Sequence, residues 1–278
     1  MKPLCIYHGN CADGFGAAWV FKNYADREFE FHAGVYQDAP PSCEGRDVYL
    51  VDFSYKRNVV EDMLKQAHRI TLIDHHKTAI DDLKPLLDTE KKMSASLFDV
   101  EHSGAMLAWR FFNGNFQEPP QLIKHIEDYD LWRFTLPFTR EIKANVFSYP
   151  YTFEAWDELM AADTNSLVLA GSAIERKHHK DIAELVNVCR REMVIGGINI
   201  PVANLPYTLT SDAGHMMASE HQSKTAACYW DTPDGRVFSL RSTEDGPDVS
   251  EIAKLYGGGG HKHASGFRVP FSHVLAHS

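Results

Sequence analysis

The stretch Thr71-Leu72-Ile73-Asp74-His75-His76 decides the fold. An apolar, β-branched run of this kind suits a buried strand of a parallel sheet, and here it ends abruptly in one acid and two imidazoles. Open α/β sheets place their ligands at the C-terminal edge of their strands, so the polar end falls where a site would be built. Two adjacent histidines normally diverge, so one can bind a metal while the other faces a substrate. Asp74 is placed to orient either ring through a hydrogen bond.

The same pattern recurs upstream. Leu4-Cys5-Ile6-Tyr7 reads as a first buried strand and runs into His8-Gly9-Asn10-Cys11-Ala12-Asp13-Gly14. Small residues at Gly14, Gly16, Ala17 and Ala18 then open a helix towards Tyr24 that can pack closely on a sheet. Phe29, Phe31 and Ala33 alternate with polar residues as a second strand does, and Pro40-Pro41 with Gly45 mark a loop. Asp47-Val48-Tyr49-Leu50-Val51-Asp52 is a third strand, again ending in an acid. Lys56 to Ala67 has helical spacing, with Val59, Val60, Met63 and Leu64 on one face. The alternation predicts an α/β fold, a mostly parallel sheet with flanking helices, in which three polar strand ends converge on one edge.

Further along, Ser103 can cap a helix through Phe112, and Pro119-Pro120 starts another from Gln121 to Tyr129. That helix delivers Glu127, Asp128 and Asp130 at its C-terminal end, where acids oppose the helix dipole and need a reason, either a cation or a solvated end. Leu131-Trp132-Arg133-Phe134 follows as an amphipathic strand or turn. Ser166 to about Glu192 lacks proline and reads as a long connecting helix whose Lys177-His178-His179-Lys180 cluster is a solvated face. A helix capped at Ser211-Asp212 is expected, then strands from Ala226 to Trp230 and Arg236 to Arg241. Asp231-Thr232-Pro233-Asp234-Gly235 joins them as a hairpin. A short helix from Val249 to Tyr256 leads into Gly257-Gly258-Gly259-Gly260-His261. The expected organisation is an N-terminal domain over 1–165, a helical linker over 166–192 and a smaller α/β domain over 193–278.

Bulk properties narrow the partners. The chain has 278 residues, 44% hydrophobic and 24% charged, with no run near the ~18 apolar residues that span a bilayer. Five scattered cysteines without a CxxC fit a reducing compartment, so the expected location is the cytoplasm, without membrane association. A net charge of −10 lacks the basic footprint that a grip on long nucleic acid needs. Small anionic substrates fit better, with metal ions supplying the positive charge. Monomer and homodimer both stay open.

His8, Asp13, Asp52, His75 and one of Asp128 or Asp130 form a set of imidazoles and carboxylates. Such ligands suit a hard divalent ion, manganese first and magnesium as the alternative, while zinc usually brings a smaller tetrahedral set. Two ions roughly 3.5–4 Å apart clamp the attacking and leaving oxygens of a phosphoryl transfer. Four consecutive glycines free the backbone for close approach to a phosphate.

Taken together, these motifs resemble the DHH phosphoesterase family, in the branch carrying a C-terminal DHH-associated domain, and the resemblance covers nearly the whole chain. Asp74-His75-His76 resembles the motif that names the family, His8 to Gly14 its first motif, Asp52 the lone acid of the second, and Asp130 before Leu-Trp-Arg-Phe that of the fourth. Ser239-Leu240-Arg241-Ser242 and Gly257 to Phe267 resemble the two signatures of the associated domain. The resemblance implies that His8, Asp13, Asp52, His75 and Asp130 are metal ligands, with Asp128 the rival of Asp130. It implies that His76 faces the scissile phosphate, and that Arg241, Gly257, Gly258, Gly259, Gly260 and His261 hold a terminal phosphate or nucleotide. The implied activity is metal-dependent hydrolysis of linear dinucleotides or very short oligonucleotides to mononucleotides; opening of cyclic dinucleotides, or non-catalytic nucleotide sensing, are the alternatives. One departure stands out. The first motif usually has two acids separated by one residue, and here the first falls on Cys11. Either Cys11 ligates, Asn10 or water substitutes, or one metal site is weaker; a thiolate there would favour a softer ion than manganese.

Overall fold

In the computed structural model, which describes residues 1–36 and 38–277, the apolar runs of the first part of the chain pair into one sheet. Strands β1 (Leu4–His8), β2 (Glu30–Gly34), β3 (Asp47–Val51), β4 (Arg69–Asp74) and β5 (Met93–Phe98) lie in the order β2-β1-β3-β4-β5, each neighbouring pair parallel. Helices α1 (Ala12–Tyr24), α2 (Arg57–Gln66) and α3 (Lys77–Thr89) alternate with them. Helices α4 (Gly104–Asn113), α5 (Gln121–Asp130), α6 (Thr139–Val146) and α7 (Phe153–Ala161) follow.

Side chains alternate across the sheet, as the two-residue period of a strand requires. Leu4, Ile6, Val48, Leu50, Ile70 and Leu72 form one apolar layer with Val60, Met63 and Leu64 of α2 and Leu83 of α3. Cys5, Val51 and Ile73 face the other way, against Phe15, Ala17 and Phe21 of α1 and residues of α4 and α5. Each large, fully buried aliphatic side chain contributes about 1.5–3 kcal/mol, so strand runs apolar on both faces are what this two-sided cover demands. The strand order reverses between β1 and β3. The crevice at their C-terminal ends is therefore the ligand position of such a sheet.

Contact density divides the chain into two units, Met1–Glu175 and Arg176–Ser278. Helix α8 (Thr164–Cys189) carries the chain from one to the other. The second unit holds β6 (Arg191–Ile195), β7 (Ile198–Asn204), α9 (Thr210–Glu220), β8 (Thr225–Thr232), β9 (Gly235–Ser242), α10 (Val249–Lys254), β10 (Gly259–His261) and β11 (Ala264–Val269). Its sheet has the order β10-β11-β9-β8-β7-β6 and is antiparallel except where β7 meets β8. Among the described residues no helix is long and apolar enough to cross a membrane.

Three local expectations need correction. The connecting helix stops at Cys189, and Arg191 and Glu192 begin β6, which turns into β7 at Gly196-Gly197 with φ of 61° and 81°. Ser211 and Asp212 lie in the first turn of α9 without capping it, because their side chains have other partners. Ser211 Oγ accepts from Arg241 Nη2 at 2.7 Å, and Asp212 Oδ2 lies 2.9 Å from His178 Nε2. His178 accordingly belongs to a packed face of α8 rather than a solvated one.

Candidate metal centre

Each strand end contributes one or two polar side chains. His8 ends β1, Asp52 follows β3, and His75 and His76 follow β4. Asp52 has a left-handed backbone, φ 54°, which costs a non-glycine residue of order 1–3 kcal/mol and is tolerated where the surroundings over-determine it. Its N–H donates to Ile73 O at 2.9 Å, tying the ends of β3 and β4 together. Asp13, in the first turn of α1, reaches across to α4. Its Oδ2 accepts from Gly104 N at 2.5 Å and its Oδ1 from Ala105 N at 2.9 Å. The N-terminus of α4 thus faces the acids, where its positive end is favourable.

These groups converge on one imidazole. His75 Nε2 is 3.0 Å from Asp52 Oδ1, 3.6 Å from Asp130 Oδ2 and 3.7 Å from Asp13 Oδ2. On the other side of Asp52, Oδ2 is 3.6 Å from His8 Nδ1 and 3.9 Å from Cys11 Sγ. Asp13, Asp52 and His75 are all at most 2% exposed. Burial pushes the Asp13 carboxyl well above the usual range, and the neighbouring Asp52 and Asp130 push it further. Burial and the charge of Asp52 raise Asp130 too, against the pull of His75. Burial would also raise Asp52, but hydrogen bonds from His75 and His8 outweigh it and hold that carboxyl below the usual range. His75 would be lowered by burial; its hydrogen bond to Asp52 and the charges of Asp130, Asp52 and Asp13 push it up to about 10 instead.

Three carboxylates, Asp13 and Asp52 buried and Asp130 partly exposed, thus gather around the His75 ring and its proton. Such a set is undercompensated, and a divalent cation in place of that proton supplies the missing charge with oxygen and imidazole ligands it accepts. Asp13, Asp52 and His75 bring donor atoms within 4.8 Å of one another, and so do His8, Asp52 and His76. The residues present fit a divalent metal.

Asp74 orients His76, not His75. Its Oδ1 lies 2.7 Å from His76 Nδ1 and accepts the backbone N–H groups of His75 at 2.8 Å and His76 at 3.1 Å. That pairing puts a proton on His76 Nδ1 and leaves Nε2 as the ring atom facing away from Asp74. Asp128 is spent elsewhere. It accepts from Thr135 N, Thr135 Oγ1, Leu136 N and Thr139 Oγ1 at 2.6–3.1 Å, holding the turn after α5. Trp132 and Phe134 in that turn have φ of 55° and 50°, which makes it a turn rather than a strand. Glu127 binds His102 Nδ1 at 2.7 Å and Ser103 N at 3.3 Å. Two of the three acids at the end of α5 are thus structural, and only Asp130 reaches His75.

Gly104 was not legible as a site residue. A Cβ there would sit 2.4 Å from Asp52 Cβ, so only glycine lets α4 approach the acids this closely. The nearest local signal, Ser103, points to a cap, and it does cap α4 by accepting from Met106 N.

In the second unit Arg241 and His261 share one row of the sheet. His261 pairs with Ala264, and Ala264 with Arg241, so both side chains face the same way across the small Ala264. The Arg241 guanidinium donates to Ser239 Oγ at 3.0 Å, Leu240 O at 2.8 Å and Ser211 Oγ at 2.7 Å. The four glycines divide in two. A Cβ at Gly258 would meet Gly266 O at 2.1 Å, and one at Gly260 would meet Ala264 O at 2.6 Å, so the β10–β11 hairpin itself requires these two. Gly257 and Gly259 have open space around them.

No family model matches the chain. An uncharacterized protein, R106, of Acanthamoeba polyphaga mimivirus is 27% identical over 286 residues, covering 95% of this chain. Oligoribonuclease NrnB of Bacillus subtilis is 24% identical over 299 residues, covering 94%. The chain spans 66% and 71% of the lengths of these two relatives. Among solved structures, a pGpG-specific phosphodiesterase, PggH, from Vibrio cholerae matches with a TM-score of 0.53 and 14% identity, over 98% of this chain and 94% of that one. An exopolyphosphatase-related protein from Bacteroides fragilis matches with a TM-score of 0.51 and 14% identity, over 96% and 87%. The chain thus shares its fold with these neighbours and carries Asp74-His75-His76 at the end of its fourth strand.

Proposed function

We propose that the protein hydrolyses linear dinucleotides and very short oligonucleotides to mononucleotides with a divalent metal, manganese first. The observation that carries the reading is the convergence of Asp13, Asp52 and Asp130 on His75 Nε2. Those four residues, with His8, would hold the metal. When bound, such an ion lowers the pKa of an attacking water and offsets charge on the phosphoryl oxygens.

The chain's own residues do the rest. Asp74 holds the Nδ1–H of His76, so Nε2 is the ring atom left for substrate; with the ring doubly protonated, its Nε2–H would donate to the scissile phosphate or give its proton to the leaving oxygen. Arg241, positioned by Ser211 and Ser239, is the proposed anchor for a terminal phosphate, with His261 on the same face and the open backbone at Gly257 and Gly259 beside it. Short substrates are supported by the net charge of −10, and by the oligoribonuclease and pGpG phosphodiesterase among the similar proteins. Five free cysteines support a reducing, cytoplasmic setting.

The test is turnover of the purified, manganese-loaded protein on linear dinucleotides, cyclic dinucleotides and single strands of increasing length. The expected order is linear dinucleotides fastest, with rates falling past a few nucleotides and vanishing in chelator. Faster opening of cyclic dinucleotides, or level rates out to long strands, would reassign the substrate. Nucleotide binding without turnover would make the protein a sensor.

A further inference from the structure

Asp52 stands between two unlike sets of donors. Its Oδ1 side holds His75 with the carboxylates of Asp13 and Asp130, an oxygen-rich set. Its Oδ2 side holds His8 Nδ1 at 3.6 Å and Cys11 Sγ at 3.9 Å. His8 and Asp52 bring donors within 4.8 Å of one another and of the substrate-facing His76, so this side of the centre borders the proposed phosphate position. Cys11 sits beside that set at the head of α1, in the N-cap position, yet its side chain makes no capping bond to the helix and its sulfur lies against Asp52 instead. Cys5, Cys43 and Cys228 are buried, and Cys43 Sγ donates to Pro41 O.

We infer that Cys11 ligates a metal as its thiolate, so that the His8 side of the centre selects a borderline ion such as zinc or cobalt while the Asp13–Asp130 side keeps a hard one. The chemistry follows from the donors: imidazole and thiolate suit zinc and cobalt, whereas carboxylates suit manganese and magnesium. A bound cation would itself favour the thiolate. On binding, the S–H bond is exchanged for a sulfur–metal bond and the proton passes to solvent. The inference rests on the reading of this centre as a metal site, but not on any activity.

The test is optical. The metal-free full-length chain is titrated with cobalt and its near-ultraviolet spectrum followed for a thiolate-to-cobalt charge-transfer band. The expected result is a band in the unaltered protein that is lost in Cys11→Ser and kept in Cys189→Ser. Competition should show a preference for zinc over manganese that falls at least about tenfold in Cys11→Asp, the scale of effects at residues supporting a metal site. Cobalt bound without the band, or a band that survives Cys11→Ser, overturns the inference and leaves the metal centre standing. No cobalt bound at all overturns both. The first measurement uses the unaltered chain, so a variant that fails to fold does not remove the test.

Discussion

Replacing Gly104 with alanine tests how closely the N-terminus of α4 must approach the acids. The added Cβ would lie 2.4 Å from Asp52 Cβ and 2.8 Å from Asp52 Oδ1, whereas ordinary contact begins at 3.4 Å. Helix and aspartate must therefore separate by about 1 Å. If α4 gives way, the Gly104 N–H that sits 2.5 Å from Asp13 Oδ2 moves to the edge of hydrogen bonding. If Asp52 gives way, it leaves His75. A misplacement of about 1 Å costs roughly 100-fold in rate, which is the expected loss of turnover on a dinucleotide. Stability should change far less, because overpacking costs about 1–3 kcal/mol and alanine in a helix returns about 0.5–1 kcal/mol. The assay pairs steady-state turnover with manganese binding by calorimetry and a thermal melt. Gly104→Ala with unaltered turnover and unaltered metal binding would refute the close-approach argument.

Asp128 and Asp130 should separate cleanly. Asp128→Ala removes the acceptor of four donors, one of them buried, and should lower stability by about 1–3 kcal/mol, seen as a lower Tm, while metal binding persists. Asp130→Ala should weaken metal binding with little change in Tm; the opposite pattern would exchange their roles. Metal uptake near pH 8 should release at least one proton, because His75, pushed up to about 10, must lose its proton to ligate; calorimetry in buffers of different ionisation heat reads this directly. The same shift means that the His75–Asp52 pair stabilises the metal-free protein fully below 6.5 and loses that contribution as pH rises through about 10, so the metal-free Tm should fall across that window. Gly258→Ala should disrupt the β10–β11 hairpin and lower the stability of the second unit, since its Cβ would meet Gly266 O at 2.1 Å; an unchanged melt would argue against the hairpin geometry.

The strand ends were readable because two signals coincide there, an apolar run and a sudden acid or imidazole. That coincidence places His8, Asp52, His75 and His76 at the ends of β1, β3 and β4 without any tertiary information. Asp130 was separable from Asp128 only through the apolar residues after it, since both are acids on one helix end and their different partners lie seven to eleven residues downstream or across the fold. Helix α3 went unread because Pro85 lies inside it and its apolar positions are few. Strand β6 was absorbed into the helix before it, because the apolar spacing of Leu185 and Val186 continues to Met193 without a break. The demand for glycine at position 104 has no local cause at all. It comes from Asp52, which neighbours it only after folding.

The bond between Asp13 and α4 also sets an order of events during synthesis. His8, Asp13, Asp52 and His75 are all made before Gly104 and Ala105, which lie 91 and 92 residues beyond Asp13 and provide its two donors. At about 5–20 residues per second, a growing chain spends seconds with its ligands made and its acids unrestrained by the helix. On the proposed ligand set, the full site exists only once α4 docks and Asp130 follows. An ion meeting the nascent chain would find only a loose fragment of it, and the choice of metal would fall to the folded protein.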